Sequence, residues 1–190
     1  SKPTLDNLEN DLLNKALMHT DETTNDNKWY IRNYSNSETV IYKPHKNKGH
    51  KQIEEHDILT RYTGGIMHDH DTAMYKYGSN NYECNVHLGR YLEEIIQNVS
   101  EVTWAKELKE LLIKVYHDRK VLIKKGSKSF SNNKTNEISE KYDEIISLAK
   151  KENKSIKSTY YKEKALKLTR RCEKYKDNHL AYIYDFSVPF

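Results

Sequence analysis

The sequence is poor in cysteine, glycine and proline, and it has no long apolar run. Two cysteines, Cys84 and Cys172, lie far apart in 190 residues. They do not suggest a disulfide framework, and a reducing compartment is the default. Six Gly and three Pro exclude collagen-like and Gly-rich low-complexity chains. No apolar run approaches the ~18 residues that a membrane helix needs. The N-terminus lacks the charged-then-apolar order of a secretory signal, so none is expected. There is no Gly-rich phosphate loop and no G-x-S-x-G motif, and Gly64-Gly65 reads as a turn before a strand. Leu, Ile, Val and Phe supply only 40 residues, just above the level at which a strongly charged chain stays unfolded.

Charge and aromatic rings are plentiful. Lys and Arg number 32 against 28 Asp and Glu, for a net charge of +4. Fifteen Tyr and two Trp add large side chains whose apolar parts can be buried. A thin core under a wet, charged surface is expected. The length is that of one domain, or of a domain with a helical extension. The first residue is Ser, and Ser187-Val188-Pro189-Phe190 is apolar rather than tail-like. The chain therefore reads as a piece of a longer protein.

The pattern changes near residue 100. Before it, short apolar runs alternate with turn-like stretches. Residues 6–17 have helical spacing, and residues 16–23 read as a buried strand ending in acid. Residues 24–27 form a turn cluster. Residues 28–34 and 37–42 follow as a hairpin joined at Ser35-Asn36. A basic loop, 45–50, leads to a helix over 52–60. Residues 64–70 repeat the theme of a short apolar strand ending in acid. A strand over 82–86 and a helix over 88–99 complete this half. The order predicts an α/β fold with a mixed sheet. The second half is helical: residues 102–124, 137–150 and 158–184 each carry one apolar stripe, with a basic linker over 126–134.

The most chemical feature is a strand that delivers a carboxylate at its end, found twice. Asp21 closes one apolar strand and Asp69 another, 48 residues later. Strand ends in α/β sheets face the crevice where ligands bind. Two carboxylates meeting there repel unless a cation lies between them, and oxygen donors suit Mg²⁺ or Mn²⁺. Two such ions about 3.5–4 Å apart serve phosphoryl transfer. The plainer alternative is that both are turn or cap residues. His68 and His70 would share one strand face, a poor zinc site by themselves. Cys84-Asn85-Val86-His87 has C-x-x-H spacing without a second matching pair, so Cys84 also reads as a small buried side chain. Basic stretches at 43–51, 124–134 and 150–167 would meet phosphates or simply solvent.

Taken in order, these motifs resemble the catalytic region of bacterial insertion sequence 66 family transposases. Leu17-Met18-His19-Thr20-Asp21-Glu22-Thr23 resembles the strand with the first catalytic Asp, and Trp29-Tyr30 the aromatic start of the next strand. Gly65-Ile66-Met67-His68-Asp69-His70 with Tyr75-Lys76-Tyr77 resembles the second Asp and its follow-on. Cys84-Asn85-Val86-His87-Leu88-Gly89-Arg90 and Trp104-Ala105-Lys106-Glu107-Leu108 fit the next two stretches. Residues 171–177, His179-Leu180 and Asp185-Phe186-Ser187-Val188-Pro189-Phe190 fit the approach to the last motif.

The resemblance implies an RNase H-like core over 1–100, a helical insertion over 101–184 and a return to the core from 185. It implies DNA strand cleavage and joining on transposon ends and target. Asp21 and Asp69 would hold two Mg²⁺ or Mn²⁺ ions in a bacterial, cytoplasmic, homo-oligomeric enzyme. The family's third acid, a Glu, is expected beyond Phe190, so this piece is expected to be incompletely competent. The alternative is an inactive RNase H-like module, from a decayed element, that binds nucleic acid or protein.

Overall fold

The structure is a computed structural model that describes residues 2–26 and 28–190. It divides into two compact units, one ending at Glu83 and one running Cys84–Phe190. The first contains α1 (Lys2–Leu13), β1 (Leu17–Thr24), β2 (Tyr30–Ser35), β3 (Val40–His45), α2 (His50–His56), β4 (Gly65–His68), a 3-10 turn (Thr72–Lys76) and β5 (Asn80–Glu83). The five strands form one mixed sheet in the order β3-β2-β1-β4-β5. β1 is antiparallel to β2, and β2 to β3, while β1, β4 and β5 run parallel. The α/β class expected from the pattern is what forms.

Local chemistry sets where these elements start and stop. Asn36 builds the first hairpin turn, its side-chain oxygen accepting from the N–H groups of Glu38 and Thr39 at 2.8 Å each. The turn is longer than the predicted Ser35-Asn36 joint, so β3 starts at Val40 rather than residue 37. Pro44 is tolerated because β3 is an edge strand. α1 ends at Leu13, four residues before the predicted limit, because Leu17 is claimed by the β1 ladder. Asp57 takes a left-handed φ of 54° and ends α2 early. Asn27, the last residue of the predicted turn cluster, lies outside the described residues.

The Gly64-Gly65 pair lets β4 enter beside its neighbours. A Cβ on Gly64 would stand 2.8 Å from the carbonyl oxygen of Ala16, and one on Gly65 would stand 2.7 Å from the Tyr82 ring. Side chains alternating along the sheet bury one face against the helices. Met18, Tyr34, Ile41 and Ile66 from strands pack with Leu12, Ile53, Ile58 and Leu59. Fully burying such side chains stabilises by roughly 1.5–3 kcal/mol each.

The second unit is helical: α3 (Asn85–Asn98), α4 (Trp104–Lys124), α5 (Asn132–Glu152), α6 (Thr159–Lys174) and α7 (Lys176–Tyr184). The predicted strand over 82–86 is shorter, since Asn85 already begins α3. The single helix predicted over 158–184 is two, broken at Tyr175 where ψ is 28°. Leu108, Leu112 and Val115 of α4 and Ile138, Tyr142 and Ile145 of α5 form buried stripes at helical spacing. Asn153, fully buried, ties three helices together. It accepts from the Trp104 indole N–H and donates to Thr169 Oγ1, both at 2.9 Å. Arg119 anchors the last residues by donating to the carbonyls of Phe186 (2.6 Å) and Val188 (2.9 Å). Among the described residues, no helix is long and apolar enough to cross a membrane.

Candidate active site

The parallel ladder between β1 and β4 ends at the pair Thr20↔His68. The next residue on each chain is an acid, Asp21 and Asp69. The fold therefore delivers both carboxylates to one place, and an oxygen of Asp21 lies within 4.8 Å of one of Asp69. Both residues are half-buried. The Glu22 backbone N–H donates to Asp21 Oδ1 at 2.7 Å, which fixes how that side chain turns. Beyond Asp69 the chain cannot continue as a strand, because His70 adopts a left-handed φ of 44°. For a non-Gly residue that conformation costs about 1–2 kcal/mol. It also steers the chain away from the sheet so that Asp69 stands at its edge.

The acids open on a cleft of about 390 Å³, lined also by Glu22, Asp71, Arg32 and Lys48. Glu22 sits directly opposite Arg32 in the β1/β2 register, and Arg32 donates to it at 2.8 Å. The same guanidinium reaches Asp71 at 3.0 Å. His45 Nε2 and Lys48 Nζ lie 3.0 and 3.3 Å from the Glu22 carboxylate. Asp71 in turn accepts from the Ala73 N–H at 3.0 Å and caps the 3-10 turn. Two of the four acids in the cleft are thus matched by a buried cation. A buried ion pair of this kind adds little net stability but costs several kcal/mol to break. Its effect here is to hold β1, β2 and the 3-10 turn in one geometry around Asp21 and Asp69.

Behind Glu22 the network becomes drier. The Tyr34 hydroxyl and His56 Nδ1 are hydrogen-bonded at 2.8 Å, and the His45 and His56 rings are 5.0 Å apart. Burial, helped by the neighbouring His45, pushes the His56 pKa down to about 4. Burial likewise raises the Tyr34 phenol and lowers the His19 imidazole.

The fold brings together Asp21 and Asp69, both singled out in the sequence, but Asp21 does not close its strand, because pairing with β2 carries β1 on to Thr24. His68 and His70 do not share a strand face, because β4 stops at His68. The His68 ring meets Tyr75 edge-on at 5.2 Å, while His70 Nε2 lies 3.1 Å from Glu83. Cys84 is a half-buried residue outside any disulfide at the N-terminal cap of α3, with His87 in the first turn of that helix. The roles of Glu22, Arg32, Lys48 and Asp71 leave no signal in the sequence. Their meeting depends on strand register, and no local spacing records that Glu22 lies opposite Arg32.

Asp21 and Asp69 each offer carboxylate oxygens, donors that suit a hard divalent cation such as Mg²⁺ or Mn²⁺. Residues 2–190 match the family model described as Transposase IS66 family. Neither the curated proteins nor the solved structures give a match to the chain.

Proposed function

The chain belongs to the IS66 family of transposases, and on that premise we propose that Asp21 and Asp69 are the metal-holding acids of an RNase H-like DNA strand-transfer core. The observation that carries the proposal is the placement of both carboxylates, within 4.8 Å, where the β1/β4 ladder ends. The strand order β3-β2-β1-β4-β5, with β2 antiparallel to its neighbours, supports the RNase H-like reading. So does the cleft at the ends of parallel strands.

In this reading each carboxylate supplies oxygen ligands to Mg²⁺ or Mn²⁺. When bound, the metal would neutralise charge on the phosphate and favour deprotonation of the attacking water or 3′-hydroxyl. The protein's own contribution is positional. Arg32, clamped between Glu22 and Asp71, keeps the strand ends from shifting. Lys48 at the rim of the cleft offers a cation to the DNA backbone. DNA, as transposon end and as target, is the partner, with several copies of the protein acting together. In the same reading residues 101–184 would be a helical insertion, with the return to the core starting from residue 185.

Strand cleavage of labelled transposon-end DNA by the full-length protein tests the reading. Asp21→Asn and Asp69→Asn are each expected to reduce cleavage by at least about 10²-fold, the usual order for losing a group that stabilises transition-state charge. Cleavage at the parental rate by either variant contradicts the assignment.

A further inference from the structure

Asp21 and Asp69 stand at one end of the sheet, and the same end carries aromatic rings faced by lysines. The β1/β2 ladder closes with Thr24↔Tyr30, and the β2/β3 ladder with Tyr30↔His45. Trp29 therefore lies just before one strand and Lys46 just after another, at the same edge. Lys46 Nζ is 5.1 Å from the centre of the Trp29 ring, and Lys48 Nζ is 5.0 Å from that of Tyr30. Tyr30 is backed by His45, their rings stacked at 5.7 Å and 19°. Lys48, which faces the Tyr30 ring, also lines the acidic cleft and so links the rings to the acids.

Trp29 is 39% exposed, whereas Trp104, the other tryptophan, is fully buried. Packing does not account for a Trp at this position. The charge around it is also unusual. Among the described side chains of the first unit, Lys28, Lys46 and Lys51 make no ion pair with a carboxylate. The other Lys and Arg residues each do. Two of these cations stand by Trp29: Lys28 is its neighbour in sequence, and Lys46 faces its ring.

We propose that Trp29 and Tyr30, with Lys46 and Lys48, form a platform on which an unpaired DNA base stacks beside the acid pair. Every base has a π-face, so an aromatic platform binds unstacked bases whatever their sequence, and lysines around it meet the flanking phosphates. A closed duplex hides those faces. The platform therefore selects single-stranded or frayed DNA next to the scissile phosphate. The inference rests on the proposed reading of the cleft for its place in the reaction, but not for the binding itself.

The test is run on the full chain without divalent metal, in EDTA at low salt. Thymidine oligonucleotide and blunt duplex are titrated against tryptophan fluorescence and, separately, with a fluorescent label for polarisation. The single strand is expected to quench the exposed Trp29 emission and leave that of Trp104. Trp29→Ala is expected to weaken oligonucleotide binding roughly tenfold, in the range for loss of one stacked base. Trp29→Phe should keep most of the affinity. Unchanged Trp104 emission in each variant shows that the fold is kept. Parental affinity in Trp29→Ala, or no quenching by the single strand, overturns the proposal. Mn²⁺ affinity separates this inference from the acid pair. If Trp29→Ala binds oligonucleotide normally while the acids bind metal, the platform alone fails. If quenching holds while metal binding fails, the acid assignment alone fails.

Discussion

At the scale of single residues, His56 shows how burial near the cleft becomes a dependence on pH. Its folded-state pKa, near 4, lies below the ordinary value of 6.5. The unfolded chain therefore takes up a proton that the native state refuses. The stability this contributes is fully present above pH 6.5 and is lost as the pH falls from 6.5 toward 4. His56→Gln removes that titration while an amide can still accept from Tyr34. Urea midpoints measured between pH 7.5 and 4 should fall less steeply for the variant than for the parent. Equal slopes would mean that His56 does not carry the effect. The residue scale is also where the sequence was most and least informative. Asp21 and Asp69 were legible because each ends an apolar run, a local pattern. The left-handed turn at His70 was not, because nothing in His-Asp-His-Asp specifies a positive φ.

Among elements, the helices show where periodicity suffices. The stripes of α4 and α5 follow from spacing alone; α4 forms close to its predicted place, while α5 starts at Asn132, inside the predicted linker, because Ser131 caps it there. The break between α6 and α7 does not follow, because apolar residues continue past Tyr175 to Leu180 and Ile183. Similarly, β3 starts three residues later than its apolar pattern, because the Asn36 side chain extends the turn by bonding two backbone N–H groups. What fixes the helices against one another is polar as well as apolar. Glu152 caps α4 by accepting from the N–H groups of Thr103 (2.7 Å) and Trp104 (3.0 Å), and the adjacent Asn153 joins Trp104 to Thr169. Replacing Asn153 by Leu leaves a buried indole N–H without its acceptor and a hydroxyl without one of its bonds. Unsatisfied buried groups cost about 1–3 kcal/mol each. Asn153→Leu is therefore expected to lower unfolding free energy by about 2–4 kcal/mol in urea titration. A variant as stable as the parent would show that the network is dispensable.

For the whole molecule, the net charge of +4 conceals a division. The second unit carries 22 Lys and Arg against 15 Asp and Glu, and the first carries 10 against 13. The acid excess belongs to the unit that holds the cleft, and the basic excess to the helices. The sequence showed the change of pattern near residue 100, while the compact units part at Glu83. Pattern alone could not place that boundary, because α3 resembles the helices of either half. The thin core expected from the low apolar content is supplemented by buried polar ties such as Arg119 and Asn153. The central claim is simpler than this division: Asp21, inside β1, and Asp69, just after β4, meet to hold a divalent cation. Titration of the full chain with Mn²⁺, read by the electron paramagnetic resonance of the free ion, tests it most directly. The account predicts saturable binding that Asp21→Asn and Asp69→Asn each weaken by about tenfold or more, while Asp185→Asn leaves it unchanged, since one carboxylate ligand is a large share of such a site. Parental Mn²⁺ affinity in both Asp21→Asn and Asp69→Asn would contradict it.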